Sequence, residues 1–163
     1  MKKQIIAVLL LVCIVTGKLL SQENDSVTTL PSISVTTGTV VSKAVDKAFK
    51  KAFPQAKNLK WYDLNKLYMA RFIENDMNHQ VVFTRNGSIN YDISYGYEQH
   101  LPMEIRDRLK GGAYEDYKIT HVTNIKELQR NIWIATLESL NHLVMVKIKD
   151  NELEEVEKYD KSK

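Results

Sequence analysis

His79, His100, His121 and His142 are the side chains of this 163-residue chain best suited to hold a metal ion or move a proton, and they recur every 21 residues. Metal sites take their ligands at the short spacings of a helix turn or a hairpin. An interval of 21 residues matches neither, so no metal site is assigned. Carboxylates stand at Asp63, Glu74, Asp76, Asp92 and Glu98, and densely at Glu152, Glu154, Glu155 and Glu157. A hydrolytic carboxylate pair needs a fixed separation across a cleft, and no spacing here imposes one. The C-terminal group reads more simply as the solvated side of an edge strand, where charge blocks sheet-to-sheet association. Cys13 is the sole cysteine. Nucleophile elbow, P-loop, HExxH helix and Rossmann glycine fingerprint are all missing from the chain, and each of those chemistries depends on its motif. No catalytic residue and no cofactor is assigned, and the chain is not expected to be an enzyme.

Aromatic side chains are the remaining signal: Trp61, Tyr62, Tyr68, Tyr91, Tyr95, Tyr97 and Trp133. Such rings offer large, stiff, amphipathic contact area and are enriched where proteins recognise one another. Trp61, Tyr68 and Trp133 read as core. Tyr62, Tyr91 and Tyr95 are open between cross-strand pairs and a recognition surface. If Tyr68 and Phe72 point inward, Met69, Arg71 and Ile73 share the outward face and make a mixed apolar and basic patch. The candidate partner-binding set is therefore Tyr62, Met69, Arg71, Ile73, Tyr91, Tyr95 and Tyr97.

The elements that must position this set follow from periodicity. Ser42 is a good N-cap, and Val45, Ala48, Phe49, Ala52 and Phe53 fall at helical spacing behind it, while Lys43, Lys47, Lys50 and Lys51 form a wet face. Pro54 ends this helix. A helix of about a dozen residues is marginal alone, whereas each of Val45, Phe49 and Phe53 contributes roughly 1.5 to 3 kcal/mol on burial. It must lie on a sheet. Alternating strands follow around Trp61, Ala70, Val81 and Ile93, separated by Asn65-Lys66, a polar turn over 75–78 and Asn86-Gly87. Asn-Gly is the strongest hairpin signal and points to a type I′ turn. Ile89, Tyr91, Ile93 and Tyr95 share one face of the fourth strand.

The unit then returns at an offset drifting between 60 and 65 residues. Leu101, Ile105 and Leu109 make a second helical stripe, Pro102 suits its first turn and Gly111-Gly112 closes it. Strands are expected over 117–126, 131–138, 143–149 and 152–159, with Asp150-Asn151 in the place of Asn86-Gly87. The expected fold is α+β: a tandem repeat of one helix packed on a four-stranded antiparallel meander, over 42–97 and 98–163.

Ahead of these units lie two other segments. Lys2 and Lys3, the apolar run over 5–15 and the small and polar residues after it have the tripartite form of a secretory signal peptide, too short to span a bilayer. Cleavage is expected near Ser21, with residues 22–41 an exposed linker or, over 34–41, an added edge strand. Removing the leader takes three lysines and no acid, leaving 20 basic against 20 acidic residues. That balance argues against nucleic acid, whose binding depends on phosphate neutralisation. The mature chain is expected to be a monomer with no membrane span.

Phe49, Phe53-Pro54, Ala56-Lys57, Lys60-Trp61, Asn86-Gly87, Leu101-Pro102 and Tyr117-Lys118-Ile119 together resemble the PepSY-like proteins with a β-lactamase-inhibitor-protein fold, small exported bacterial proteins. The resemblance covers about residues 41–159 and implies tandem helix-on-sheet units and a periplasmic or secreted address. It implies no activity. Gly112-Ala113-Tyr114-Glu115-Asp116 departs from the family's usual Pro-Gly ahead of the Tyr-Lys-Ile strand. The leading expectation is an exported, non-enzymatic module that binds an envelope protein, such as a protease or hydrolase, through the free face of its sheets. The alternative is a small-molecule or sugar-binding domain with a pocket between helix and sheet.

Overall fold

The computed structural model describes residues 39–150 and 152–162, so the expected signal peptide and residues 22–38 of the expected linker lie outside the described residues. Residues 39–41 carry no strand, and Val41 packs against the core.

Helix α1 (Lys43–Ala52) starts where the Ser42 hydroxyl accepts the Val45 amide at 3.3 Å, and ends where the Phe53 amide donates to the Phe49 carbonyl at 2.8 Å. Its buried residues are Val45 and Phe49. Helix α2 (Met103–Lys110) is shorter than the expected stripe, because a 3₁₀ turn, Glu98–His100, precedes it and Leu101 is buried in the connection. Gly111 closes α2 with φ −90°, so no left-handed glycine cap is used.

Strands β1 (Lys57–Asp63), β2 (Leu67–Glu74), β3 (Met77–Thr84), β4 (Ile89–Gly96), β5 (Lys118–Glu127), β6 (Arg130–Glu138), β7 (His142–Lys149) and β8 (Glu152–Asp160) pair antiparallel in sequence order. They form one eight-stranded sheet, in place of the two four-stranded sheets expected, because β4 pairs with β5 over Tyr91↔Glu127 to Gly96↔Val122. Two separate sheets would leave two more rows of unpaired backbone groups at their edges. Joining them leaves β1 and β8 as the edges.

Turn chemistry also differs from expectation. Asn75 and Asp76 both take positive φ, 51° and 58°, which makes the β2–β3 connection the two-residue type I′ hairpin. Met77 and Asn78, expected in that turn, belong to β3. At Asn86-Gly87 only Gly87 is left-handed, at φ 92°, and its amide donates to the Thr84 carbonyl at 3.0 Å. This is a type I turn closed by a glycine bulge, and a separate β3–β4 register shift between Val82 and Phe83 leaves Asn90 as the extra residue. A second irregularity lies in β1, where Asn58 takes φ 57° and the pairing with β2 shifts between Lys57 and Lys60. Alternation is lost there, which is why Leu59 is exposed although it was expected to share the inward side with Trp61.

Two apolar clusters hold the helices to the same side of the sheet. Under α1, Val45 and Phe49 meet Tyr68, Ala70, Phe72, Val81 and Phe83, with Phe53 and Trp61 packed against them. Under α2, Leu109 joins Ile119, Val122, Trp133, Ala135, Leu137, Val144, Val146 and Ile148. Tyr114 and Tyr117, from the unusual loop after α2, meet edge to face at 5.5 Å and pack on the second cluster.

Candidate functional site

Pairing register defines the side of the sheet turned away from the helices. One row runs Tyr62, Met69, Val82, Tyr91, Glu127, Arg130. The next runs Lys60, Arg71, Gln80, Ile93, Ile125, Ile132, Lys149. A third runs Ile73, Asn78, Tyr95, Thr123, Ile134, Lys147, Glu154. Six of the candidate residues, Tyr62, Met69, Arg71, Ile73, Tyr91 and Tyr95, thus stand in adjacent rows on one face. The alternate residues, Tyr68, Ala70 and Phe72 of β2 and Val81 and Phe83 of β3, face the helix instead, because a strand sends successive residues to opposite faces.

Tyr97 is set apart. It lies just beyond β4, ahead of the 3₁₀ turn, is 54% exposed, and its ring centroid is 5.7 Å from that of His121. Its amide donates to His100 Nδ1 at 2.9 Å.

The middle of the face is apolar. Ile93, Ile125, Ile132 and Ile134 are half-buried there, and of these only Ile93 was placed on a defined face by the sequence reading. Alternation in β5 and β6 carries the same signal for the other three. At the β1–β2 end, the bulge beside Asn58 opens a cleft of about 460 Å³ lined by Asn58, Lys60, Tyr62, Arg71, Ile73, Asn78, Gln80 and Tyr95, with Phe72 and His79 at its floor. Lys60, Asn58, Asn78 and Gln80 were missed as site residues, since their placement depends on the bulge and on register.

The helix-covered side has a different character. Phe49 sits within 5.0 to 6.3 Å of the ring centroids of Phe53, Trp61, Phe72 and Phe83, so the space between α1 and the sheet is filled with side chains. Between the two clusters runs a polar seam. His79 Nδ1 lies 3.1 Å from Asp92 Oδ1, Ser94 is buried beside them, and Asn124 donates to Asn131 Oδ1 at 2.6 Å and to the Ile132 carbonyl at 3.2 Å. His142 contacts Asp160 at 3.3 Å, at the far end of the sheet. His100 and His121 both lie against the Tyr97 ring, while His79 pairs with Asp92 and His142 with Asp160, and among the described residues no three His, Cys, Asp or Glu side chains come together as a metal site. Nor is any described helix long and apolar enough to cross a membrane.

No protein-family model matches the sequence, and neither does any curated protein. Solved structures do match. A BLIP-like protein from Bacteroides fragilis superposes with a TM-score of 0.56 at 18% identity, over 75% of this chain and 87% of that one. A DUF2874 family protein from Bacteroides ovatus gives 0.55 at 18% identity, over 76% and 89%. A candidate periplasmic protein from Bacteroides eggerthii gives 0.53 at 16% identity, over 75% and 90%. At these identities the likeness is one of fold: the chain has a BLIP-like α+β fold.

Proposed function

We propose that this chain is an exported, non-enzymatic binding module of the PepSY-like kind, which recognises an envelope protein such as a protease or hydrolase through the sheet face opposite its helices. The observation that carries this reading is the set of three adjacent rows in which Tyr62, Met69, Arg71, Ile73, Tyr91 and Tyr95 stand together with a half-buried isoleucine stripe. Half-exposed tyrosine, methionine and arginine around an apolar centre match the composition of recognition surfaces. The BLIP-like and periplasmic descriptions of the structural neighbours support the same reading. The two core clusters, one under each helix, support descent from a tandem unit. Packing of aromatic rings beneath α1 speaks against a ligand pocket between that helix and the sheet.

The test is capture of partners from an envelope extract by the wild-type chain and by a Tyr62→Ala/Tyr91→Ala/Tyr95→Ala variant of unchanged circular dichroism. Loss of one partner band with the variant is expected. Equal recovery by both proteins removes the assigned surface.

A further inference from the structure

Lys60 and Arg71 are direct cross-strand partners on the open face, both exposed, and they line the same cleft. Like charges placed opposite one another on adjacent strands are destabilising. Some exposed cations elsewhere on this molecule are matched: Arg85 has Asp63 at 2.7 Å, Lys147 has Glu154 at 2.6 Å and Arg130 has Glu127 at 2.8 Å; what sets Lys60 and Arg71 apart is that the two cations stand directly opposite one another. Among the described residues, Lys60 and Arg71 have no carboxylate partner. The three acids carried by β1 to β4 are committed to other groups: Asp63 to Arg85, Asp92 to His79, and Glu74 to the Gln55 amide. The outward positions of β1 to β4 hold no acid at all. An uncompensated pair of cations at the mouth of a cleft, with amides and tyrosine hydroxyls around it, has the donors a carboxylate needs. Arg offers a planar fork for two parallel hydrogen bonds and Lys a compact charge.

We propose that this end of the face is a carboxylate-binding cleft, which takes an Asp or Glu side chain from an acidic loop of the protein partner between Tyr62 and Tyr95. The proposal rests on the reading of this face as a protein-recognition surface and adds the charge of what it recognises. The partner loop completes the ion pairs that the free chain leaves open, while the isoleucine stripe beside it supplies apolar contact. Charge complementarity of this kind selects among partners and speeds encounter.

The experiment is selection from a displayed library of random twelve-residue peptides against the wild-type chain, a Lys60→Ser/Arg71→Ser variant and the triple tyrosine variant. The expected result is enrichment of Asp and Glu among wild-type binders, with affinity for the serine variant at least tenfold lower. Thermal stability of the serine variant should be equal or higher, since a repulsion is removed; a fall of several degrees would make the two cations structural and overturn the assignment. Binders that need the tyrosines but show no acidic enrichment overturn the carboxylate cleft and leave the recognition face standing. Peptides indifferent to both variants overturn both. Oligogalacturonate is run alongside; its binding at Lys60 and Arg71 without any acidic peptide transfers the cleft to a saccharide acid and overturns the loop as occupant.

Discussion

His79 Nδ1 and Asp92 Oδ1 lie 3.1 Å apart on the helix-covered side of the sheet, each side chain about one-tenth exposed, with the imidazole stacked flat on Phe72 at 4.9 Å. They bridge β3 and β4 in the polar seam that separates the two apolar clusters. Removing one member of such a buried hydrogen-bonded pair leaves the other without a partner, which costs about 1 to 3 kcal/mol. Asp92→Leu is therefore expected to lower stability by that order in urea denaturation. The double replacement His79→Phe/Asp92→Leu should recover most of the loss, and failure to recover it would assign the seam a role beyond mutual pairing.

Phe49 is the keystone of the first cluster, 4% exposed and in ring contact with Phe53, Trp61, Phe72 and Phe83. Phe49→Ala removes those contacts and leaves a cavity, for a cost of about 3 to 5 kcal/mol. Chemical denaturation of the purified variant measures it. A loss below about 1 kcal/mol would mean that α1 is not anchored through this ring.

Gly87 and Gly112 make opposite predictions for the same substitution. Gly87 has φ 92°, and a Cβ there would come within 2.8 Å of the Ala44 carbonyl oxygen. Left-handed geometry alone costs an L-residue roughly 1 to 2 kcal/mol, so Gly87→Ala should lower the melting temperature by several degrees. Gly112 lacks the positive φ, and a Cβ there meets nothing closer than 3.4 Å. Gly112→Ala should be neutral or slightly stabilising through the unfolded chain.

Tyr114 and Glu138 set opposite ends of the pH profile. Burial, together with the hydrogen bond its hydroxyl donates to Glu155 Oε2 at 3.1 Å, raises Tyr114 above the ordinary tyrosine value of 10.0. Its contribution is fully present below that value and is lost as pH rises through the folded-state value. The difference in melting temperature between wild type and Tyr114→Phe should therefore shrink above about pH 10. Glu138 is lowered from 4.5 by the hydrogen bond from Lys161 and by that cation's charge. Its contribution is present above the ordinary value and disappears as pH falls through the lowered one, so Lys161→Ala should flatten the acid limb of the same titration.

Strand β8 is exposed along its whole length and forms one edge of the sheet, which agrees with reading Glu152, Glu154, Glu155 and Glu157 as an edge-strand face. Glu152→Val/Glu157→Val removes two of the four edge glutamates and adds apolar surface beside Leu153, Val156 and Tyr159 on an unpaired edge. Static light scattering is expected to show concentration-dependent association of this variant and none for wild type.

Much of the architecture could be read along the chain because it is a local matter. A hydrophobic residue every second position tells which face of its own strand is buried, and one at every third or fourth tells the same of a helix. Ser42, Pro54 and the alternation of Tyr68, Ala70 and Phe72 with Met69, Arg71 and Ile73 carried α1, β2 and the sidedness of the candidate face in that way. Neighbour relations are another matter, since hydrogen bonding between strands is non-local and its register is set by turn geometry. That β4 pairs with β5, that Asn75-Asp76 and not Asn86-Gly87 makes the type I′ turn, and that a bulge at Asn58 brings Lys60 opposite Arg71 were decided only in the folded chain. The charge of each residue was on the page from the start; two cations facing each other across a cleft exist only once the strands have paired.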